Sequence, residues 1–568
     1  MINGIRFLSI ATSLLFIASV KADVLPGPAM PEQVSRALTE ERIAPTQAAP
    51  SVITAPEETK TPGGEAAKKI KFELNGIILE GNHVYSDAQL RPIYENKLHK
   101  TITVADLFSL VQDITNYYRN NGYVISRAIL PPQHVKGGVV KVRIIEGFLG
   151  KIDIGGHPKG ARCIVLAFGD KIKQCPPLQI KRMEKYLLLA NEIPGVDVRA
   201  VLSPSKTTTG AADLTLMTET QTVNGYLSYD NYGTRYIGPQ QMTANVGLNS
   251  IFGSGDSTQI TVTKTPKGQE LTYVDINYGT PINAEGMRWL VGGTRAKTHP
   301  LFVLAPVDIN GLNVNYYTYL NIPCIRSRTE SLTFQLGFNY LDSHVTTFNE
   351  QLYTDHLRPI GANVTYNFSD KYMGANLIYL DLRQGLPIWG YTQDTNPATA
   401  TTSRPGGHAV FSKMDFQLSR IQGIRNNLSL YGVVKGQWAW SALLSSEQFT
   451  FGGPQIGRGY DVAELIGDTG IAGSLELRYD WAIGKLAIQD LQPYVFYDIG
   501  GIWNSHTSPS IIKKQTGTSG GIGFRIYFTK VISGNFMWTQ TFTKPVAAEE
   551  LIGRGHKPRV WFSVVASL

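Results

Sequence analysis

One arginine stands between two glycines, Gly457-Arg458-Gly459, in the most irregular stretch of the chain, Phe449-Thr450-Phe451-Gly452-Gly453-Pro454-Gln455-Ile456-Gly457-Arg458-Gly459-Tyr460-Asp461. A guanidinium is planar, forked and always charged, so its natural partner is a carboxylate gripped through two parallel hydrogen bonds. Glycine on either side keeps backbone bulk low where the fork would have to reach a wall. The glycines and proline argue against a regular strand, and the stretch runs on through Glu464, Gly467, Asp468 and Gly470 before alternation returns at Ser474. It reads as a long connection with an arginine at its tip. In Pro493-Tyr-Val-Phe-Tyr-Asp-Ile-Gly500, Val495, Tyr497 and Ile499 share one face, which puts Phe496, Asp498 and Gly500 on the other. If that second face and the loop tip share an enclosed interior, an Arg458 to Asp498 pair pins the loop there. Removing either partner then leaves a poorly solvated charge. The competing reading of any lone arginine is an ordinary exposed loop residue.

The elements that must position these groups are strands. From residue 222 to 568 helical stripes disappear. Leu332, Phe334, Leu336, Phe338 and Tyr340 alternate with polar neighbours, Leu475, Leu477, Tyr479 and Trp481 alternate with Ser474, Glu476, Arg478 and Asp480, and Ile522, Phe524, Ile526 and Phe528 alternate with Gly523, Arg525, Tyr527 and Thr529. Such a dyad fits strands with lipid on one side and a wet lumen on the other. A soluble sandwich alternates too, but three features favour a barrel: segments of about ten residues, an export signal, and an ending inside a strand, where Val560, Phe562, Val564, Ala566 and Leu568 share a face. At roughly 20 residues per strand and connection, the region holds about 16 antiparallel strands, an even number as bacterial barrels require.

Ahead of it, residues 1–22 read as a secretory signal, with Arg6 before an apolar core and a Val20-Lys21-Ala22 cleavage site. Residues 23–43 form an N-terminal segment containing a short helix of the sequence PEQVSRALTEER, with Val34, Leu38 and Glu41 as its plug-like positions. It is either part of a disordered leader or a detachable helix on a tether, since alone it is too short to be stable. Residues 44–70 are a Pro-rich linker with no strand pattern. Residues 71–147 show the order strand, short helix, longer helix, strand, strand. Thr103 caps the longer helix with Asp106 three residues on, and Leu107, Leu110, Val111, Ile114 and Tyr118 form its apolar stripe. Residues 148–221 repeat the plan, with Ile180, Met183, Leu187 and Ala190 on one side of a helix. Each is a small α+β unit with helices on one face of a sheet.

Composition narrows the function. Charged residues are only 17% of the 568, and no apolar run is long enough for a spanning helix, so any crossing of a bilayer must use closed strands. The net charge of +8 is spread along the chain rather than gathered with aromatics, which speaks against nucleic acid as a partner. Three cysteines exclude a disulfide framework. Cys163 and Cys175 are close enough in sequence to close one short loop, and a disulfide is favoured over two buried thiols; Cys324 is then expected to pack as a small apolar residue. No catalytic cluster, metal-ligand spacing or phosphate-binding loop stands out, so neither enzyme activity nor a cofactor is expected.

Taken together, signal, short helix, linker, two α+β units and strand-rich region resemble the two-partner secretion outer-membrane transporters of the haemolysin/haemagglutinin secretion-activation type, within the POTRA-containing barrel superfamily. In that family the in-folded loop carries an Arg-Gly-Tyr or Arg-Gly-Phe tip, matched by Arg458-Gly459-Tyr460, and a later lumenal strand carries Phe-x-Asp-x-Gly, matched by Phe496, Asp498 and Gly500. One departure is Gly457, where an aliphatic residue often precedes the arginine. The resemblance implies a membrane β-barrel of about 16 antiparallel strands preceded by two POTRA domains, in the outer membrane of a Gram-negative bacterium with the POTRA domains in the periplasm. It implies as partners a large unfolded exoprotein, outer-membrane lipids and, during biogenesis, the barrel-assembly machinery. The POTRA pair would capture the exoprotein and the barrel would pass it outward without nucleotide. The alternatives are an outer-membrane protein assembly factor, or a passive uptake channel that leaves both periplasmic units idle.

Overall fold

The computed structural model describes residues 25–39, 44–45, 53–54, 64–208, 210–253, 255–267, 269–393, 401–485, 488–505 and 511–568. The signal reading of residues 1–22 and the plug position Glu41 lie outside them.

The C-terminal region closes as a 16-strand antiparallel barrel. Its walls follow the alternation: Val495, Tyr497 and Ile499 face outward at 49%, 48% and 53% exposure, whereas Asp498 between them is fully buried. Such an apolar outer face suits lipid, and closure removes the unpaired edges that hydrocarbon cannot satisfy. One wall strand is interrupted at Arg358, its halves Glu350–Leu357 and Pro359–Ser369 both pairing with Glu330–Thr347. Closure joins Val223–Asp230 to Arg559–Ser567 in the register Tyr226 to Ser567 through Asp230 to Ser563. Among the described residues no helix is long and apolar enough to cross a membrane.

Two α+β units precede the barrel. In the first, strands Gly76–Glu80, Val139–Ile145 and Arg127–Ile129 form the sheet in that order. Helix Val104–Asn120 starts where the sequence places it, with the Asp106 amide donating to Thr103 Oγ1 at 3.1 Å and the Asp106 carboxylate accepting from the Thr103 amide at 2.9 Å. Its stripe of Leu107, Leu110, Val111, Ile114 and Tyr118 is buried. The single opening strand expected from the sequence is split at Asn75 into Lys71–Leu74 and Gly76–Glu80, and the first piece pairs with Lys100–Thr103, a strand with no evident signature.

The second unit stacks helices Arg162–Lys173 and Ile180–Asn191 on strands Phe148–His157, Ala211–Thr220 and Val196–Pro204. The first of these helices corrects the cysteine expectation. Cys163 lies in its opening turn and Cys175 beyond its end, and a helix of this length holds its ends roughly 18 Å apart at 1.5 Å per residue. A disulfide needs Cα atoms within about 7 Å. Both thiols are free and exposed, and so is Cys324, which is not packed as an apolar residue either. The linker also departs from its reading. Ile53–Thr54 forms a short strand that extends the second unit's sheet, parallel to Val196–Pro204.

This second unit rests on the barrel's near mouth through charge. Glu285, in the turn after Leu271–Pro281, meets Lys171 Nζ at 2.8 Å and Lys185 Nζ at 3.1 Å and accepts from the Tyr186 hydroxyl, while Glu184 meets Arg328. The Lys171 ammonium, with Lys185 behind it, holds the Glu285 carboxyl down at about 2 against the opposing pull of partial burial.

Candidate functional site

The connection between wall strands Leu428–Ala439 and Thr469–Tyr479 does not stay outside; it folds back into the lumen. The sequence reading denied it regular structure, yet Phe449–Phe451 and Leu465–Gly467 pair antiparallel and make it a hairpin. Phe451 and Leu465 are fully buried, so the hairpin has its own apolar face. The glycines and proline that mask this pattern lie between its arms.

Arg458 occupies the tip at 3% exposure. Its Nε donates to Asp498 Oδ2 at 3.0 Å and its Nη2 to Asp498 Oδ1 at 2.8 Å, the two-pronged pair anticipated from the residue types. Three further contacts complete the seat. Nη1 donates to Glu476 Oε2 at 2.7 Å, Nη2 to Ser474 Oγ at 2.7 Å, and the guanidinium carbon lies 3.4 Å from the centroid of the Phe496 ring. The backbone amides of Gly457 and Arg458 also donate to Asp498 Oδ2, at 3.1 and 2.9 Å. Sequence reasoning missed Glu476 and Ser474 as partners, although it had put both on the inward face. Glu476 is in turn bonded by Arg478 at 2.7 Å and Arg525 at 2.8 Å, so the tip sits in a network of three arginines around two carboxylates.

The neighbours of the arginine are shaped to the same seat. Gly457 has φ of 80°, a conformation an aliphatic residue resists, which accounts for the departure at that position. Gly459 packs against Thr541 and Ser519. Tyr460 is fully buried, its hydroxyl donating to the Thr518 carbonyl at 3.2 Å and its ring lying 5.6 Å from that of Phe451. Gly500 has a steric reason: a Cβ there would stand 2.3 Å from Phe451 Cδ2. Asp461 pairs with Arg559 and Asp468 with Arg404, so both arms of the hairpin are tied to the wall or its loops.

The rest of the lumen is filled by residues 25–39. Helix Pro31–Thr39 has Pro31 to Ser35 buried, and Leu25, Ala29, Met30 and Val34 join Tyr273, Ile309, Val345 and Tyr353 in one cluster, with Leu38 packed against it. The Glu32 carboxylate accepts from Ser343 Oγ at 2.9 Å and from the Tyr353 hydroxyl at 3.1 Å. Gln33 donates to the Ser445 carbonyl, and Arg36 Nη1 donates to the Gln448 carbonyl at 2.8 Å, both acceptors being in the in-folded connection. A cavity of about 350 Å³ remains, bordered by Gln33, Arg36, Leu38, Tyr232, Arg458 and Arg525.

A closed barrel with two α+β units at one mouth and an arginine-tipped hairpin salt-bridged inside defines the class of POTRA-bearing outer-membrane transporters. Within that class the chain belongs to the haemolysin secretion/activation family: the family described as haemolysin secretion/activation protein ShlB/FhaC/HecB matches residues 211–525, and the ShlB-type POTRA domain matches residues 72–147. It is 23% identical over 567 residues to the heme/hemopexin transporter protein HuxB of Haemophilus influenzae (strain 86-028NP), covering 98% of this chain and 97% of that one. It is likewise 23% identical to the outer membrane transporter CdiB of Escherichia coli O6:K15:H31 (strain 536 / UPEC), covering 99% and 94%. Among solved structures, CdiB from Escherichia coli superposes with a TM-score of 0.70 at 16% identity over 92% of this chain and 94% of that one. BamA from Haemophilus ducreyi, lacking POTRA domains 1–3, shares the fold at 0.52 and 12%, over 88% and 100%. The barrel therefore lies in the outer membrane with its POTRA units in the periplasm.

Proposed function

We propose that this protein receives an unfolded exoprotein in the periplasm through its POTRA units and passes it through the barrel to the cell surface or the medium, without nucleotide. The observation that carries the reading is the unequal filling of the lumen. One occupant, the hairpin, is locked by paired buried charges, and the other, residues 25–39, enters from the tether and is held by an apolar cluster, by hydrogen bonds from neutral groups to Glu32, and by one cation, Arg36, near Glu447. A conduit for a polypeptide needs a part that stays and a part that leaves. Arg458, Gly459 and Tyr460 act as the fixed tip, with Phe496, Asp498 and Gly500 as its seat, while Val34 and Leu38 belong to the displaceable plug. A passive uptake channel has no use for a stopper tied to the periplasmic units.

The reading assigns no catalytic step. It takes outer-membrane lipids to bathe the apolar outer wall and the barrel-assembly machinery to insert it. The test is co-expression with each candidate large exoprotein of the same genome, in cells lacking other transporters of the family. The exoprotein is expected outside the cell. Its retention in the periplasm beside an assembled barrel would refute the reading.

A further inference from the structure

Two of the three cysteines meet where the second POTRA unit rests on the barrel. Cys175 lies in the turn between helices Arg162–Lys173 and Ile180–Asn191, and Cys324 lies near the POTRA-side end of wall strand Ile309–Arg326. Far apart in sequence, they line one cleft of about 510 Å³, which Tyr123 of the first unit also borders. Both thiols are exposed. Each is also left out of the regular structure around it. The wall slips register between Pro323 and Ile325, so Cys324 is the extra residue of a bulge and faces no partner on Glu330–Thr347. Cys175 follows the end of its helix, whereas Leu178 beyond it is buried and tied through its amide to the Gly147 carbonyl at 2.8 Å.

Ion pairs hold the two sides of the cleft together. Arg326, two residues after Cys324, meets Glu192 at 2.7 Å, and Lys185 meets Glu285 at 3.1 Å. The two carboxylates are 47% and 45% exposed, and pairs this open to water are weak and screened by salt. A contact built of such pairs comes apart easily. A disulfide needs Cα atoms within about 7 Å, and a round cavity of this volume would be about 10 Å across, so the exposed turn bearing Cys175 has only the cleft to cross.

We infer that Cys175 and Cys324 join in a disulfide that fastens the second POTRA unit to the barrel. The periplasm is a compartment in which such bonds form and persist. One thiolate attacks the disulfide of a periplasmic thiol oxidase to give a mixed disulfide, and the other thiolate then displaces the oxidase. The two thiols give up two protons and two electrons, one sulfur–sulfur bond forms between them, and the oxidase leaves as its dithiol. Cys163 takes no part, because it sits in the opening turn of its helix, outside the cleft and roughly 18 Å from the helix's far end. The link goes beyond the export reading and holds whatever the chain exports.

The test uses the full chain from outer membranes of cells with a working thiol oxidase, their free thiols alkylated before lysis. Trypsin puts the three cysteines on separate peptides, residues 163–171, 174–181 and 298–326. Peptides 174–181 and 298–326 are expected joined and separable by reductant, with Cys175 alkylated roughly tenfold less than Cys163. Alkylation of both Cys175 and Cys324 overturns the inference, as does pairing of either with Cys163 or with a second molecule. In cells lacking the oxidase all three thiols should be alkylated alike, and a link that forms there equally well overturns the assigned oxidant. Cys175→Ser should free Cys324 for alkylation. It should also lower protease protection of the turn around Glu285 at about 1 M salt, where ion pairs are screened and the linked chain stays protected. Equal protection of the two forms overturns the fastening role.

Discussion

The hairpin tip and the lumenal helix occupy one interior but are held by opposite means. Arg458 is matched by two carboxylates, Asp498 and Glu476, with Ser474 and Phe496 completing its coordination. Glu32 of the helix is just as buried, yet its donors are the hydroxyls of Ser343 and Tyr353 and its own backbone amide, all neutral, and no cation bonds to it among the described residues. A buried charge paired on every side is costly to break once made, whereas a buried carboxylate held by neutral donors keeps much of its incentive to return to water. The contrast separates a permanent fixture from a removable one.

The sharpest way to break the contrast is charge reversal at the fixture. Arg458→Glu places a third carboxylate against Asp498 and Glu476, beyond the roughly 3–5 kcal/mol expected for removing one partner of a buried pair. Export should fall to background while heat-modifiable mobility on gels still reports a closed barrel; normal export ends the argument. Next, deleting residues 23–42 should raise single-channel conductance in planar bilayers several-fold with little change in barrel melting, and an unchanged conductance removes the plug. Gly500→Val should unseat the hairpin through Phe451 and reduce export by a smaller factor than Arg458→Glu, since the charges remain available to each other. Glu32→Gln sharpens the comparison from the other side. It removes the ionisable carboxyl without changing shape, so openings in bilayer recordings should become rarer by a modest factor; more frequent openings would show that the carboxyl holds the helix in place.

The smallest effect concerns the mouth rather than the lumen. The Glu285 carboxyl is held at about 2, below its ordinary value near 4.5, by Lys171 and then Lys185. Because the docked value is the lower one, the contact contributes fully above about 4.5 and is lost as pH falls toward 2. Protease protection of the turn around Glu285 should therefore stay level from pH 8 to 5. A drop within that window argues that another group holds the second POTRA unit to the barrel.

Much of this was legible in the residues because strand alternation assigns faces without any knowledge of the partner strand. That is how Asp498 could be matched to Arg458 from 40 positions away. Glu476 was assigned the right face but not the right role, since which inward groups meet depends on register across the wall, and a single strand does not encode register. The arms of the hairpin were hidden because three-residue strands around a glycine-rich tip leave no alternation to count. Ile53–Thr54 was hidden for the opposite reason: two residues gain strand geometry only from the edge they lie on. The Cys163 to Cys175 expectation failed because closeness in sequence says nothing of distance once a helix of twelve residues intervenes.

The tip's own carbonyl has a consequence for biogenesis. Arg458 O accepts from Thr539 Oγ1, 81 residues further along, and from Trp561 Nε1, 103 residues further along, on the final strand. The loop is synthesised before either donor exists, so its last bonds cannot form until the C-terminal segment has arrived and the cylinder is complete. A transporter truncated before Trp561 would leave the tip carbonyl with Thr539 as its one remaining donor of the two, and engagement of Trp561 marks the moment at which a newly made molecule becomes a finished one.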